Sequence, residues 1–199
     1  MSEVWLLRHA TPLVVPGTCY GAMDMPAEDE HTAACASAFW QAWDAEHKDA
    51  PAYLFCSPLR RCVQLAVALQ MRRPQVALRL DANLREMDFG HWEGVLWADI
   101  PKAAIDDWAS AFATHAFGGV ESVQDLIARV GQAWDAQLLS SGAEHQSPPS
   151  VPFVWVTHAG VIKAARWWVQ SGGQTITAAD QWPTAACAFG EWQKLSVAG

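Results

Sequence analysis

The stretch Val4-Trp5-Leu6-Leu7-Arg8-His9-Ala10 decides the fold, because its four consecutive apolar residues predict a short buried strand. An arginine and a histidine follow that strand at once, and Thr11-Pro12 then ends it. In open α/β sheets, ligands bind in the crevice beyond the carboxyl ends of the strands. Two polar side chains at the end of a buried strand suggest a bound anion, but a lone histidine there is more often structural, so the pair by itself is a weak signal.

The same arrangement occurs twice more along the chain. Residues 52–56 predict a second buried strand, and Ser57-Pro58 after it predicts a helix N-cap followed by proline in the first turn. Residues 153–156 predict a third strand, which ends at Thr157-His158. If the three strands are parallel neighbours, two histidines and the pair Arg60-Arg61 meet at one sheet edge, near helix N-termini that favour anions.

Helical patterns separate these strands. We expect helices over 28–46, 59–70, 96–116 in short pieces, 122–139 and after 158. A further strand is expected over 76–80, irregular chain over 81–94, a polar loop over 140–150, and one or two edge strands over 186–197. This alternation predicts an α/β protein, a three-layer α/β/α sandwich with a mostly parallel central sheet, in a single domain over residues 1–199.

The charge pattern limits the ligands that the protein could bind. The net charge is −8, and only 17% of the residues are charged, so a broad basic face for nucleic acid is not expected. The arginines are clustered instead, which favours a small anionic ligand. The apolar runs are far shorter than the roughly 18 residues of a membrane span, so no membrane association is expected.

The cysteines and the N-terminus bear on localisation. Five scattered cysteines without a CxxC pair predict reduced thiols, and neither a disulfide framework nor a zinc site. Glu3 and the lack of a basic leading segment predict no signal peptide. We therefore expect a cytoplasmic protein.

Twelve tryptophans are many for a chain of 199 residues. They favour a packed core and a subunit interface, which makes a homodimer one assembly to consider. The alternative is an aromatic wall in a substrate pocket.

Four motifs, in the same order, resemble those of the histidine phosphatase superfamily, which includes the cofactor-dependent phosphoglycerate mutases. Arg-His-Gly corresponds to Arg8-His9-Ala10, and Ser-Pro-Leu-x-Arg-Ala corresponds to residues 57–62, which selects Arg61 and not Arg60. Leu-x-Glu-x-x-Phe-Gly-x-Trp-Glu-Gly matches residues 84–94 and makes Glu86 the family acid. Thr-His-Gly-Gly appears as residues 157–160. The resemblance implies a phosphoglycerate mutase-like fold.

The resemblance also implies the roles of individual residues. His9 takes the phosphoryl group as a covalent phosphohistidine. Arg8, Arg61 and His158 hold the phosphate oxygens, and Ala159 belongs with them to the phosphate-binding residues. Glu86 donates a proton to the leaving oxygen and later accepts one from water. This scheme requires no metal and no cofactor.

The chain departs from the family at several positions. Ala10 and Ala159 stand where glycines are usual, and Thr11 replaces an acidic residue. Residues 118–122 resemble the family's Gly-Gly-Glu-Ser with an inserted valine, so a substrate role for Glu121 or Ser122 is doubtful. Glu93 is expected to be structural. Candidate substrate contacts are Thr11, Tyr20, Gly21 and His91.

Within the superfamily, residues 17–24 resemble the α-ribazole phosphatase branch. We therefore expect a phosphomonoesterase that acts on a small phosphorylated metabolite, with α-ribazole 5′-phosphate of cobalamin biosynthesis as the first substrate to test. The alternatives are a broad-specificity or sugar phosphatase, a phosphoglycerate mutase-like enzyme, and a relative that binds a phosphorylated ligand without turnover.

Overall fold

The computed structural model describes residues 2–48, 50–143, 152–184 and 187–197, whose strands form one central sheet. The strands are β1 (Ser2–Arg8), β2 (Tyr53–Cys56), β3 (Ala77–Leu80), β4 (Phe153–Thr157) and β5 (Trp192–Val197). Their order across the sheet is β3-β2-β4-β1-β5. Every neighbouring pair is parallel except β1–β5, so the predicted mostly parallel sheet is confirmed.

Five α-helices connect the strands of the described chain. They are α1 (Asp29–His47), α2 (Arg60–Arg72), α3 (Lys102–Ser110), α4 (Val123–Ala143) and α5 (Ala159–Ser171). Short 3-10 turns lie at Ala82–Leu84, Gly90–Trp92, Trp97–Asp99 and Ala179–Gln181. The expected helical pieces over 96–116 are therefore present as one 3-10 turn and α3.

The two faces of the sheet carry separate hydrophobic clusters. Trp5 and Leu7 of β1 pack on one face with side chains of α1 and α2. Val4 and Leu6 point to the other face and pack with α4 and α5. Because side chains alternate along a strand, a strand covered on both faces must be apolar throughout. This explains the uninterrupted apolar run and confirms the three-layer arrangement.

The register brings three strand ends to the same level. Arg8 lies opposite Thr157 in the β1–β4 pair, and Cys56 lies opposite Val156 in the β2–β4 pair. The residues that follow are His9, His158 and Ser57. They therefore emerge side by side at the carboxyl edge of the sheet.

The predicted N-cap at Ser57-Pro58 is wrong. Helix α2 begins at Arg60 with Leu59 in the cap position and no side-chain cap bond. The Asp24 carboxylate accepts the Arg60 N–H instead, at 2.6 Å. The Ser57 hydroxyl forms a hydrogen bond with His158 instead of capping α2, which places Ser57 beside the histidine.

The remaining element boundaries differ in two places. The polar loop expected over 140–150 is wrong for residues 140–143, which continue α4, and residues 144–150 lie outside the described chain. We expected one or two edge strands in the tail, and its described residues form one, β5. All six residues of β5 pair antiparallel with β1. Helix α4 begins as expected, with Ser122 and Asp125 bonding reciprocally.

All five cysteines are buried free thiols, as their spacing predicts. No helix of the described chain is both long enough and apolar enough to cross a bilayer.

Leu6 gives a direct test of the core. Its side chain is fully buried, so Leu6→Ala is expected to lower the free energy of unfolding by about 2–5 kcal/mol through lost packing and a residual cavity. Val67 of α2 is 41% exposed, and Val67→Ala serves as the control, with an expected change within about 0.5 kcal/mol. Urea unfolding followed by tryptophan fluorescence measures both. Equal losses would contradict the assignment of Leu6 to the core.

Candidate active site

Two histidines lie side by side at the carboxyl edge of the sheet. His9 follows β1 and His158 follows β4, and both are buried. Their ring centroids are 5.1 Å apart, and the ring planes are inclined by 60°. The parallel β1–β4 pairing is what brings together two residues that most of the chain separates.

His9 is a neutral imidazole with one defined proton position. Its Nδ1 lies 2.7 Å from the carbonyl oxygen of Ala10, and a carbonyl only accepts, so Nδ1 carries the proton. Burial lowers the pKa of His9 to about 3, assisted by the positive charges of Arg61 and Arg8. At neutral pH its Nε2 therefore keeps a free lone pair, which is what a nucleophile requires.

His158 is also neutral, for similar reasons. Burial lowers its pKa well below the ordinary value, and the charge of Arg61 acts in the same direction. Its Nε2 lies 2.8 Å from the Ser57 hydroxyl and 3.4 Å from the Cys62 thiol. Sequence reasoning missed Ser57 as a site residue, although its position directly after a buried strand was an available signal.

Arg61 is a buried cation without a carboxylate partner. Its Nη1 donates to the Met23 carbonyl at 2.8 Å and its Nη2 donates to the Gly21 carbonyl at 2.7 Å. Within the described ranges it forms no salt bridge, and its buried Nε has no hydrogen-bond partner. Since an uncompensated buried charge is costly, this arrangement suits an anionic ligand.

Arg8 completes the cationic part of the cluster. Its Nη1 donates to the Cys187 carbonyl at 2.7 Å, and its guanidinium lies 3.9 Å from the ring centroid of Phe189. Its Nε, like that of Arg61, is buried without a hydrogen-bond partner among the described residues. Two guanidinium groups beside two neutral imidazoles can bind the oxygens of a phosphate group.

Glu86 is the carboxylate beside this cluster, and it is half-buried. Its Oε2 accepts the Gly160 N–H at the start of α5, and its Oε1 accepts the Met87 N–H, both at 3.0 Å. A side chain at position 160 would collide with this carboxylate and displace it from its present position, so glycine leaves room for the close approach. Glu86 is thus held near the beginning of the helix that follows His158.

The segment that carries Glu86 is fixed through its backbone. The Thr157 hydroxyl donates to the Leu84 carbonyl at 2.8 Å. The guanidinium of Arg129 on α4 donates to three carbonyl oxygens at 2.6–3.0 Å, those of Asn83, Arg85 and Glu86. The chain around the acid is therefore bound to both β4 and α4.

Glu121 orients Arg129 in turn. The two form a salt bridge of 2.6 Å that is largely buried, and Glu121 also accepts the Asp88 N–H at 2.9 Å. Sequence reasoning missed Arg129, which belongs to none of the four motifs. The resemblance of residues 118–122 to a family motif was the only signal near Glu121, and that residue positions the backbone of the acid segment.

Glu93 organises the loop that approaches Arg61. Its carboxylate accepts four backbone N–H groups at 2.7–3.1 Å, those of Gly21, Ala22, Met23 and Phe89. These contacts are those of a structural residue, as expected. A side chain at Gly21 would collide with the Met87 carbonyl, so Gly21 serves close packing of two loops.

The expected substrate contacts lie in different surroundings. The guanidinium of Arg61 lies 5.4 Å from the ring centroid of Tyr20, which places that half-buried ring beside the cluster. The Thr11 hydroxyl bonds to Nδ1 of His31 at 2.7 Å. His91 is exposed and packs against the ring of Trp92, with 4.4 Å between the ring centroids, and within the described chain it forms no hydrogen bond or ring contact with His9 or His158.

The two alanines that replace family glycines differ in location. Ala10 is fully buried in the cluster between the sheet and α1–α2, so its methyl group fills the core. Ala159 is half-buried at the start of α5 and lines a cavity next to Glu86.

Two cavities border Glu86. The first has a volume of about 270 Å³ and is lined mainly by charged side chains: Arg85, Asp88, Glu121, Asp125 and Arg129. The second has a volume of about 310 Å³ and is mainly apolar, with one cation, Lys163, whose pKa is lowered by burial. Both are large enough to hold a small molecule beside the acid.

A possible metal-ligand group lies elsewhere. In the described chain, side-chain atoms of Glu3, Glu46 and His47 come within 4.8 Å of one another. This group is near the start of β1, at the opposite end of the strand from His9, and therefore takes no part in the histidine cluster.

The comparisons with known proteins agree with this geometry. The sequence pattern of the histidine phosphatase superfamily (branch 1) matches residues 4–193. A structure of mycobacterial glucosyl-3-phosphoglycerate phosphatase with inorganic phosphate superimposes with a TM-score of 0.77 at 27% identity, covering 98% of this chain and 90% of that one. Bacillus stearothermophilus YhfR, at 21% identity, has the same fold with a TM-score of 0.77, covering 100% and 93%.

One curated relative is the glucosyl-3-phosphoglycerate phosphatase of Mycobacterium tuberculosis, 36% identical over 123 residues. The match covers 59% of this chain, and the chain spans about half the length of that relative (53%). The superfamily pattern covers nearly all of this chain and includes the histidine pair, both arginines and Glu86. The chain belongs to the histidine phosphatase superfamily, branch 1.

Proposed function

We propose that this protein hydrolyses phosphate monoesters through a covalent phosphohistidine at His9. The observation that carries the proposal is the neutral His9 imidazole, with its proton held on Nδ1, beside two arginines that have no carboxylate partner among the described residues. A neutral nucleophile and a cationic phosphate site are the two requirements of the first step.

In the first step, the lone pair of His9 Nε2 attacks phosphorus and the bond to the ester oxygen breaks. Arg8 and Arg61 bind the non-bridging oxygens, where the charge of a loose transition state accumulates. His158, supported by Ser57, contributes a further hydrogen bond to them. The Nδ1–H bond to Ala10 stabilises the imidazolium that forms on His9. Protonated Glu86 gives its proton to the departing oxygen.

In the second step, water attacks the phosphohistidine. Glu86, now a carboxylate, takes a proton from that water as the P–N bond breaks, and His9 leaves as a neutral imidazole. Phosphate is released and Glu86 is protonated again, so the cycle closes. Arg129, Thr157 and Gly160 support this double role because they hold the acid segment in place.

For the substrate, we propose a sugar phosphate ester of the kind named for the mycobacterial relatives, glucosyl-3-phosphoglycerate. The support is the sequence match to that phosphatase together with the fold match to its phosphate complex. The relatives found for this chain do not support α-ribazole 5′-phosphate, which stays a prediction. Assays against both esters and 3-phosphoglycerate, with mutase products measured, separate these substrates.

The covalent intermediate is the direct test. Incubation with a ³²P-labelled monoester and rapid quenching at alkaline pH is expected to give labelled phosphohistidine in the wild type and none in His9→Gln. Glu86→Gln, which removes the proton donor and acceptor, is expected to slow turnover by about 100-fold or more. Binding of phosphate without any label in the wild type would support the non-catalytic alternative.

Two neighbouring arginines give a matched comparison. Arg61→Met removes the buried cation and is expected to lower kcat/KM by about 100-fold or more, since charge-assisted bonds to phosphate are lost. Arg60→Met removes an exposed cation of the same helix and is expected to stay within about twofold. Thermal unfolding of both variants checks that they fold. Equal losses of activity in the two would contradict the assignment of Arg61.

The lowered pKa of His9 has a consequence for stability. Between about pH 6.5 and its folded value of about 3, the unfolded chain binds a proton that the folded chain does not. The free energy of unfolding is therefore expected to fall as pH is lowered, by up to about 1.4 kcal/mol per pH unit for this group.

His9→Gln is expected to remove this part of the pH dependence, and urea unfolding between pH 6.5 and 4.5 in phosphate-free buffer measures it. His91→Gln, which changes an exposed ring outside the cluster, is the control and is expected to keep the wild-type slope. An unchanged slope in His9→Gln would show that His9 does not titrate as stated.

A further inference from the structure

We infer that the 310 Å³ cavity beside Glu86 binds the alcohol part of the substrate and selects esters in which that part carries a carboxylate or a similar anionic group next to a flat ring. We name this cavity the alcohol pocket. The inference rests on the proposed function and adds to it the substrate class that the pocket can recognise.

The position of the pocket follows from the role of the acid. Because Glu86 protonates the leaving oxygen, that oxygen must come within hydrogen-bond distance of its carboxyl group. The carbon bonded to that oxygen then lies close to Glu86, on the side of the oxygen that faces away from the phosphorus. The alcohol pocket begins at that point, since Glu86, Ala159 and Gly160 form part of its wall.

Aromatic side chains form the outer wall of the alcohol pocket. Trp108 stacks on Phe112 with 5.7 Å between ring centroids, and Phe112 meets Trp182 edge to face at 6.0 Å. All three are half-buried, so part of each side chain is free to contact a ligand. Such surfaces pack well against the apolar face of a sugar or an aromatic ring.

Lys163 is the cation of the alcohol pocket. It lies four residues after Ala159 on α5 and therefore on the same face of that helix. Its side chain is half-buried and lines the pocket, and it forms no hydrogen bond or salt bridge with another described residue. Burial lowers the pKa of Lys163 and the negative charge of Glu86 acts in the opposite direction, so an anionic ligand nearby would further favour the charged form.

The other cavity beside Glu86 has the opposite preference. Four carboxylates line it, those of Glu86, Asp88, Glu121 and Asp125. They outnumber its two arginines, Arg85 and Arg129, and Arg129 is already paired with Glu121. An anionic alcohol would be repelled there, so charge complementarity places it in the alcohol pocket. An uncharged alcohol has no such reason to choose between the two cavities.

A matched pair of esters tests the inference. Phenyl phosphate and 3-carboxyphenyl phosphate differ by one carboxylate and share the same ring. The wild type is expected to hydrolyse the carboxylated ester with the higher kcat/KM. Lys163→Met is expected to lower kcat/KM for the carboxylated ester by about tenfold or more, mainly through KM, and to leave phenyl phosphate within about twofold. Lys163→Arg is expected to keep the preference.

The control is Lys102→Met, which removes one positive charge from an exposed lysine at the start of α3 and is expected to change neither ester. Product inhibition of the wild type tests the same point without variants. The inhibition constant of 3-hydroxybenzoate is expected to be at least about tenfold lower than that of phenol.

The outcomes separate two failures. Equal effects of Lys163→Met on both esters, or equal inhibition by the acid and phenol, would overturn the inference while phosphatase activity persists. Absence of turnover and of phosphohistidine in the wild type would overturn the proposed function itself.

Discussion

A buried guanidinium without a carboxylate partner is the feature on which the site depends. Arg61 is fully buried and is solvated by backbone carbonyls and not by an acid of the described chain. Carbonyl dipoles offset only part of the cost of burying a charge. The same positive charge, together with burial, keeps His9 and His158 neutral. The charge of Arg61 thus contributes both to the candidate anion site and to the neutral state of the two imidazoles.

The acid of the site is kept apart from these cations by the backbone that carries it. Glu86 bonds to N–H groups, not to either arginine, and remains half-buried. A carboxylate paired with Arg61 would neutralise the anion site and would lose its ability to exchange protons. The hydrogen bonds from Arg129 to the carbonyls around Glu86 therefore fix the loop that holds this carboxylate in place.

The aromatic residues serve two purposes in different parts of the molecule. Five of the tryptophans are buried, including Trp5, which packs against Phe39 and Trp43 beneath the sheet. Trp108 and Trp182 are half-buried and line the cavity beside Glu86. The core part of the first interpretation is therefore confirmed, while a subunit interface and the wall of a substrate pocket stay predictions. The composition alone does not tell core tryptophans from those that line the cavity, because the two groups differ only in their position relative to Glu86.

The sequence by itself determined the layered α/β fold, and its motifs singled out His9, Arg61, Glu86 and His158 as candidate site residues, because apolar runs and short motifs are local properties. Only the tertiary structure decided that Ser57 supports His158 instead of capping α2, and that Arg129 holds the acid segment. The physical reason is that these bonds join residues distant in sequence, and their partners are largely backbone carbonyls, which every residue possesses and no motif can specify.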